Sequence, residues 1–473
     1  MSDASQSTDL TTISASGLMD RFSKKDLSPV EATRHALQRI EAFNPIVNAF
    51  CHVDPEGALT AARESEQRWQ NGKPAGILDG VPISIKDLTP VRAMPVRKGS
   101  LTTDAAPAEE DAPFVAHLRA AGAVILGKTT TPEFGWKGVT DSKLTGITRN
   151  PWNIAKTPGG SSGGAAAAAA LNMGYLHHGT DGGGSIRIPC GFTGTVGIKP
   201  TFGWIPQVPP SAMTMLSHMG PIGRSIDDIV RLLKIVSQPD GRDWYANPPG
   251  KPVWSADMHS GIAGLKIAFS PDLGYADVDP DIAALVETAV TKLSELGAHV
   301  ERADPGFEDP TDLFNTFWHT GAATILAALS DEQKAQMDPG LVDAAQSGMA
   351  ISAKDYLLAD TRRAALGAHM HTFHQTYDLL VTPTLAVTAF DVGQNVPDLG
   401  AGRAWTDWTP FSYPFNITQQ PAASIPCGRA PNGLPVGLQI VGPKFRDDLV
   451  LRAGQALMQA MPPEFPDVPI EKQ

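Results

Sequence analysis

Apolar residues recur three and four positions apart through the first 75 residues, predicting helices over 14–22, 29–43 and 55–70. In the second, Ala32, Ala36, Leu37 and Ile40 share a face. Ser28, ahead of Pro29 and Glu31, reads as an N-cap followed by proline at the first helical position. The pattern changes at Gly76. ILDGVPISIKDL is rich in β-branched residues, and 81–87 reads as a strand with Val81, Ile83 and Ile85 on one face and Ser84 and Lys86 on the other. A helix at 111–121 precedes the short apolar strand AVILGK. After a glycine-rich stretch, 135–203, helices are expected at 225–236, 282–296, 311–329, 339–347, 353–375 and 447–461. Strands are expected at 265–270, 298–302 and 379–385, with two more between 421 and 442.

Strands alternating with helices imply an α/β fold: one large domain, 1–473, with a mixed central sheet covered by helices on both faces. It divides into an N-terminal helical region (1–75), a core carrying the candidate chemistry (76–205), and a remainder (206–473) that completes the sheet, its covering helices and the pocket loops. The Pro/Gly-rich stretch 238–252 is expected to be a surface excursion.

Charge narrows the function. The formal net charge of -12 disfavours nucleic acid and anionic membrane surfaces, both of which are held mainly by Lys and Arg. The three cysteines, Cys51, Cys190 and Cys427, form no CxxC pair, and an odd count suits a reducing compartment. The polar start MSDASQSTDL and the lack of a membrane-length apolar run complete the expectation of a cytoplasmic protein, monomer or homodimer, acting on a small molecule.

Two glycine-rich stretches carry the candidate chemistry. In TPGGSSGGAAAAAA (157–170), four glycines surround Ser161-Ser162 and six alanines follow, which suits a tightly packed helix starting near the serines. GGSSG matches the GxSxG elbow formally, but a proline-containing loop precedes it where a strand is required. In GTDGGGSIRIP (179–189), Gly182, Gly183 and Gly184 precede Ser185; successive N–H groups at such a turn can cradle a negative oxygen. A tight turn or a phosphate loop is the other reading, although the GK[ST] ending of a nucleotide loop is absent. A serine nucleophile needs a base. His177-His178 have neither metal nor triad spacing and read as packing or surface residues. Lys86 is the better candidate, because desolvation in an apolar strand lowers a lysine pKa and a neutral amine is a base. The bland alternative is a strand-end lysine reaching water.

Together VPISIKD (81–87), ILGKTTTPEFG (125–135), NPWNIAKTPGGSSGG (150–164), GTDGGGSIRIPCGFTGTVGIKPT (179–201), LLVTPT (379–384), QPAASIPCG and LPVGLQIVG resemble the amidase signature family over nearly the whole chain. The resemblance implies a Ser-cisSer-Lys triad. Ser185 would be the acylated nucleophile, Ser161 the bridging serine after a cis Gly160-Ser161 bond, and Lys86 the neutral base. Gly182, Gly183 and Gly184, with Ser185, would form the oxyanion hole. Asp181 and Arg187 would brace the loop, and Ser162 and Thr180 would help orient the network. No cofactor or metal is implied.

The resemblance fixes the reaction class, not the substrate. One branch of the family is the amidotransferase that converts misacylated Glu-tRNA, in which an Asp-Gln pair precedes Gly-Pro. Here 215–221 reads MLSHMGP, without that pair; His218 and Met219 stand ahead of Gly220-Pro221. The stretch 202–221 contains no acidic residue, Lys or Arg, and Trp204, Met213, Met215 and Met219 are expected to line an adaptable apolar pocket. Trp136, Phe314, Trp318 and 405–415 add aromatic surface. The expected substrate is a neutral, fairly hydrophobic amide, aryl or acyl, with carbamates (urethanes) or esters as variants. The alternatives are a non-catalytic member of the fold and a partner-dependent glutaminase subunit. A metal-dependent amidohydrolase is disfavoured, because the HxH of HMHTFH falls on a predicted helix, where positions two apart diverge.

Overall fold

Ser28 caps the helix Pro29–Val47 reciprocally: its hydroxyl accepts the Glu31 N–H at 3.1 Å, and the Glu31 carboxylate accepts the Ser28 N–H at 2.8 Å. The structure is a computed structural model describing residues 10–246, 250, 254, 258–398 and 404–466. The helix passes through Pro45, beyond the predicted end at 43. Its neighbours Ala15–Lys24 and Pro55–Gln70 are also helical, but the region is not purely so. Strand β1 (Phe50–Val53) lies between the second and third helices.

The other strands are β2 (Pro82–Lys86), β3 (Val124–Thr129), β4 (Asp141–Ser142), β5 (Gly146–Ile147), β6 (Leu176–Asp181), β7 (Val196–Lys199), β8 (His218–Gly223), β9 (Lys266–Phe269), β10 (His299–Arg302), β11 (Leu379–Pro383), β12 (Ala422–Arg429) and β13 (Pro435–Val441). Eleven of them form one mixed sheet in the order β1-β3-β2-β6-β8-β7-β12-β13-β11-β9-β10; β4 and β5 pair separately. Neighbours β3, β2 and β6 are parallel, as are β11, β9 and β10, and the strands between β6 and β11 are antiparallel. Because this sheet draws on the whole chain, the architecture is a single large α/β domain.

Both faces are covered. Leu438 and Ile440 of β13 join the apolar cluster of the helices Pro280–Glu295 and Asp447–Ala460, whereas Val441 packs with Phe411 and Phe415 on the opposite face. β2 alternates as its sequence predicts. Ile83 and Ile85 pack with Phe114 and Leu118, while Ser84 Oγ lies 2.7 Å from His177 Nδ1.

The hydrophobic pattern does not predict strands β6, β7 and β8. LHHGTD and HMGPIG carry His, Gly and Pro, which disfavour strands locally, yet both strands are wholly buried in the middle of the sheet. Burial pushes His177 and His178 down to about 3, so both are neutral at pH 7. The later helices match closely: Thr311–Ala327, Pro339–Met349 and Ala353–Phe373. Of the expected surface excursion 238–252, residues 247–249 and 251–252 lie outside the described residues; Trp244 is 80% exposed. Among the described residues no helix is long and apolar enough to cross a membrane.

Candidate active site

Lys86 ends β2 with no solvent exposure. Its Nζ lies 2.7 Å from Ser161 Oγ, 2.9 Å from Ser162 Oγ and 2.9 Å from Thr180 Oγ1. Burial drives its pKa well below 10.5, against a weaker opposing pull from the Asp181 charge. The proton inventory of this cluster is constrained. Ser162 donates its hydroxyl proton to Thr180 O at 3.1 Å, so it accepts from Lys86. A neutral amine has two N–H donors and one lone pair, which leaves that lone pair to accept from Ser161 or Thr180.

The two serines stand at the entry of the buried helix Gly163–Ala170. Close packing explains its small residues: a Cβ on Gly164 would lie 2.3 Å from Thr130 Oγ1 and 2.5 Å from Ala49 O. The peptide bond Gly160-Ser161 is cis. The Ser162 N–H donates to Ser185 O at 3.1 Å, which ties the first glycine-rich stretch to the second.

That second stretch links β6 to the helix Arg187–Thr193. Asp181 and Arg187 are fully buried and paired through two bonds of 2.9 Å, Nε to Oδ2 and Nη2 to Oδ1. Asp181 also accepts the Gly184 N–H at 2.8 Å, the Ile186 N–H at 3.2 Å and Asn416 Nδ2 at 2.9 Å. Burial alone would raise its pKa, but the charge and hydrogen bonds of Arg187, with Lys199 and Asn416, hold the carboxyl well below the usual range. Arg187 in turn donates to Ser412 O, Gln439 Oε1 and Asn416 Oδ1 at 2.6 to 2.9 Å. Asn416, Ser412 and Gln439 escape the sequence reading. The available signal is a lone glutamine inside the apolar strand LPVGLQIVG.

The expectation for the turn itself is corrected at one position. Sequence predicts that Gly184 offers its N–H to a negative oxygen, but that N–H is already given to Asp181. Its role is conformational: φ is +124°, and a Cβ there would lie 2.5 Å from Ser412 Oγ. Among the described residues nothing accepts from the backbone N–H groups of Gly182, Gly183 or Ser185, nor does Ser185 Oγ make a hydrogen bond, including to Ser161.

Ser161, Thr180, Gly182 and Ser185 line one cavity of about 480 Å³. Its apolar wall comprises Phe134, Met213, Met219, Trp318, Ile325 and Leu329. Of the residues expected from sequence to line the pocket, Met213 and Met219 do, whereas Trp136, Trp204 and Met215 do not. Trp136 packs against Gly340 in the cluster with Phe314 and Leu341. Trp204 donates from Nε1 to the buried carboxylate of Asp447 at 2.8 Å and meets Trp254 and Phe445 edge-on. Met215 turns to Arg363, with Sδ 3.4 Å from Nη2. Phe314 and Trp405 meet edge-to-face beside Gly183 and do not line the cavity; of the expected aromatic residues, Trp318, stacked on Phe314, does. The wall is assembled from segments distant in sequence, which a local window cannot join.

A family model described as Amidase matches residues 31–451. An acylamidase of Rhodococcus erythropolis is 36% identical, covering 93% of this chain and 94% of that protein. A glutamyl-tRNA(Gln) amidotransferase subunit from Myxococcus xanthus is 32% identical over 95% of this chain and 97% of its own length. Among solved structures, a bacterial aryl acylamidase of the amidase signature enzymes superposes with a TM-score of 0.89 at 28% identity, covering 96% of this chain and 97% of the other.

Proposed function

The chain belongs to the amidase signature family, and on that premise we propose that it hydrolyses the C–N bond of amides bearing an apolar aryl or acyl group, through an acyl-enzyme on Ser185. The observation that carries this reading is the fully buried Lys86 amine, held among the hydroxyls of Ser161, Ser162 and Thr180, two of which, Ser161 and Thr180, line the same cavity as Ser185.

Neutral Lys86 accepts the Ser161 proton as Ser161 takes the proton of Ser185 Oγ, and Ser185 Oγ adds to the amide carbonyl carbon. Negative charge develops on the carbonyl oxygen, where the free N–H groups of Gly182, Gly183 and Ser185 are the candidate donors. As the C–N bond breaks, the proton on Lys86 returns through Ser161 to the departing amine. Water then repeats the addition and releases the acid. Esters and carbamates share this acyl-enzyme route. The apolar group rests against Met213, Met219, Trp318 and Leu329, and likeness to an acylamidase and an aryl acylamidase supports an anilide or acyl amide.

Likeness to the amidotransferase subunit favours a second reading, glutaminase action for a partner. Hydrolysis of a 4-nitroanilide, an aryl carbamate and glutamine by wild type and Ser185→Ala separates the two. Cleavage of the first two by wild type alone is expected. Glutamine turnover alone would select the second reading, and equal rates for both proteins would overturn the nucleophile.

A further inference from the structure

Of the residues that line the catalytic cavity, Lys98 alone is charged. The same cavity is lined by Leu88, Thr89, Pro90, Thr102 and Thr103 from neighbouring parts of the chain, and by the apolar wall. The Lys98 ammonium is half-buried, and among the described residues it has no carboxylate or hydrogen-bond acceptor. Its Nζ lies over the Phe134 ring, 5.9 Å from the centroid. The acid whose field reaches it, Asp87, is already engaged by Lys128 at 3.0 Å. A half-buried cation without a counter-charge is costly, and a ligand anion would relieve that cost.

Two independent observations point the same way. Thr89 lines the same cavity, and among the described residues its buried Oγ1 has no hydrogen-bond partner. Lys98 also has φ 50°, a left-handed conformation that costs an ordinary side chain about 1–2 kcal/mol. Its backbone is fixed in place on both sides, donating to Asp87 O at 3.0 Å and accepting from the Phe134 N–H at 2.7 Å. The backbone therefore holds this side chain beside the cavity rather than releasing it to solvent.

We propose that Lys98, with Thr89, receives a carboxylate carried by the substrate at a distance from the scissile bond. The substrate class becomes an amphipathic amide, apolar toward Trp318 and Leu329 and anionic toward Lys98, such as a monoamide of a linear dicarboxylic acid. This rests on the amide-hydrolase reading above and replaces the wholly neutral substrate expected from sequence. Lys98 determines specificity and takes no part in the bond-breaking steps.

The test compares mono-4-nitroanilides of dicarboxylic acids of four to eight carbons (roughly the span of a cavity this size) with alkanoyl nitroanilides of equal length. For at least one length, wild type should favour the carboxylate by tenfold or more in kcat/KM. Lys98→Met should bring the paired rates together, and Lys98→Arg should keep the preference. Because the readout is a ratio within one protein, poor folding of a variant does not move it. Binding of the same pairs to Ser185→Ala, with and without Lys98→Met, is read by calorimetry. Loss of carboxylate selectivity there supports the proposal even if no anilide is turned over, an outcome that would count against the anilide reading alone. No preference at any length, in rate or binding, or a preference that survives Lys98→Met, overturns it.

Discussion

Neighbouring strands β2 and β3 each bury a lysine completely, and the two are accommodated in opposite ways. Lys128 of β3 meets a carboxylate, Asp87, at 3.0 Å and donates to Pro95 O. Lys86 of β2 meets only hydroxyls, because the nearby carboxylate of Asp181 is saturated by Arg187, Asn416 and backbone N–H groups. A carboxylate balances an ammonium; hydroxyls solvate one only weakly and accommodate the free amine equally well. Two identical side chains one strand apart are thereby given different work: one holds the sheet end together, the other is left able to accept a proton.

The largest effect that can test this contrast is removal of the proposed nucleophile. Ser185→Ala should lower kcat by about 10⁶-fold, the scale seen when a serine nucleophile is deleted; intact-mass measurement after exposure to an activated ester should also lose the acyl adduct. Lys86→Met should lower kcat/KM by about 10²–10⁴-fold, the usual contribution of a positioned base. It should leave stability level or raised. Between the depressed pKa of Lys86 in the fold and 10.5, the unfolded chain binds more protons than the native one, so at neutral pH the buried amine subtracts from stability. The same shift predicts that kcat/KM climbs with pH through one ionisation well below 10.5, and that this limb vanishes in Lys86→Met. Retention of the limb would show that another group titrates.

Lys128→Met sharpens the comparison from the other side. It strands Asp87 as an unpaired buried carboxylate and should cost about 3–5 kcal/mol in denaturant melts, with kcat of the folded fraction little changed. The smallest effect distinguishes the cavity from the core. Trp204→Phe removes one donor from Asp447, which keeps the Thr201 hydroxyl at 2.7 Å, and should cost about 1 kcal/mol while leaving KM in place. A raised KM would return Trp204 to the substrate pocket.

The lysine contrast also shows where sequence is informative. Alternation in VPISIKD is enough to put Lys86 on the face opposite Ile83 and Ile85, and the apolar runs at 379–385 and 421–442 announce β11, β12 and β13. Strand β6 does not announce itself, since His177 and His178 look polar until burial makes them neutral. Ser161 and Ser185 stand out by their glycine-rich surroundings, and Asp181 and Arg187 by the family resemblance. The cavity is not, because its walls join residues 88–103, 134–135, 207–219 and 318–329. Trp204 is misplaced by sequence for the same reason: its partner Asp447 is 243 residues away.

The clamp on Arg187 has a consequence for synthesis. Its partners Ser412, Asn416 and Gln439 lie 225, 229 and 252 residues further along the chain. At about 5–20 residues per second, a ribosome reaches Gln439 roughly 10–50 s after Arg187. Throughout that interval the loop that carries Ser185 lacks at least one of the groups that clamp Arg187. A nascent or prematurely ended chain thus carries the proposed nucleophile without the full clamp on its loop, and on that proposal hydrolytic competence arrives only when Gln439 has been delivered.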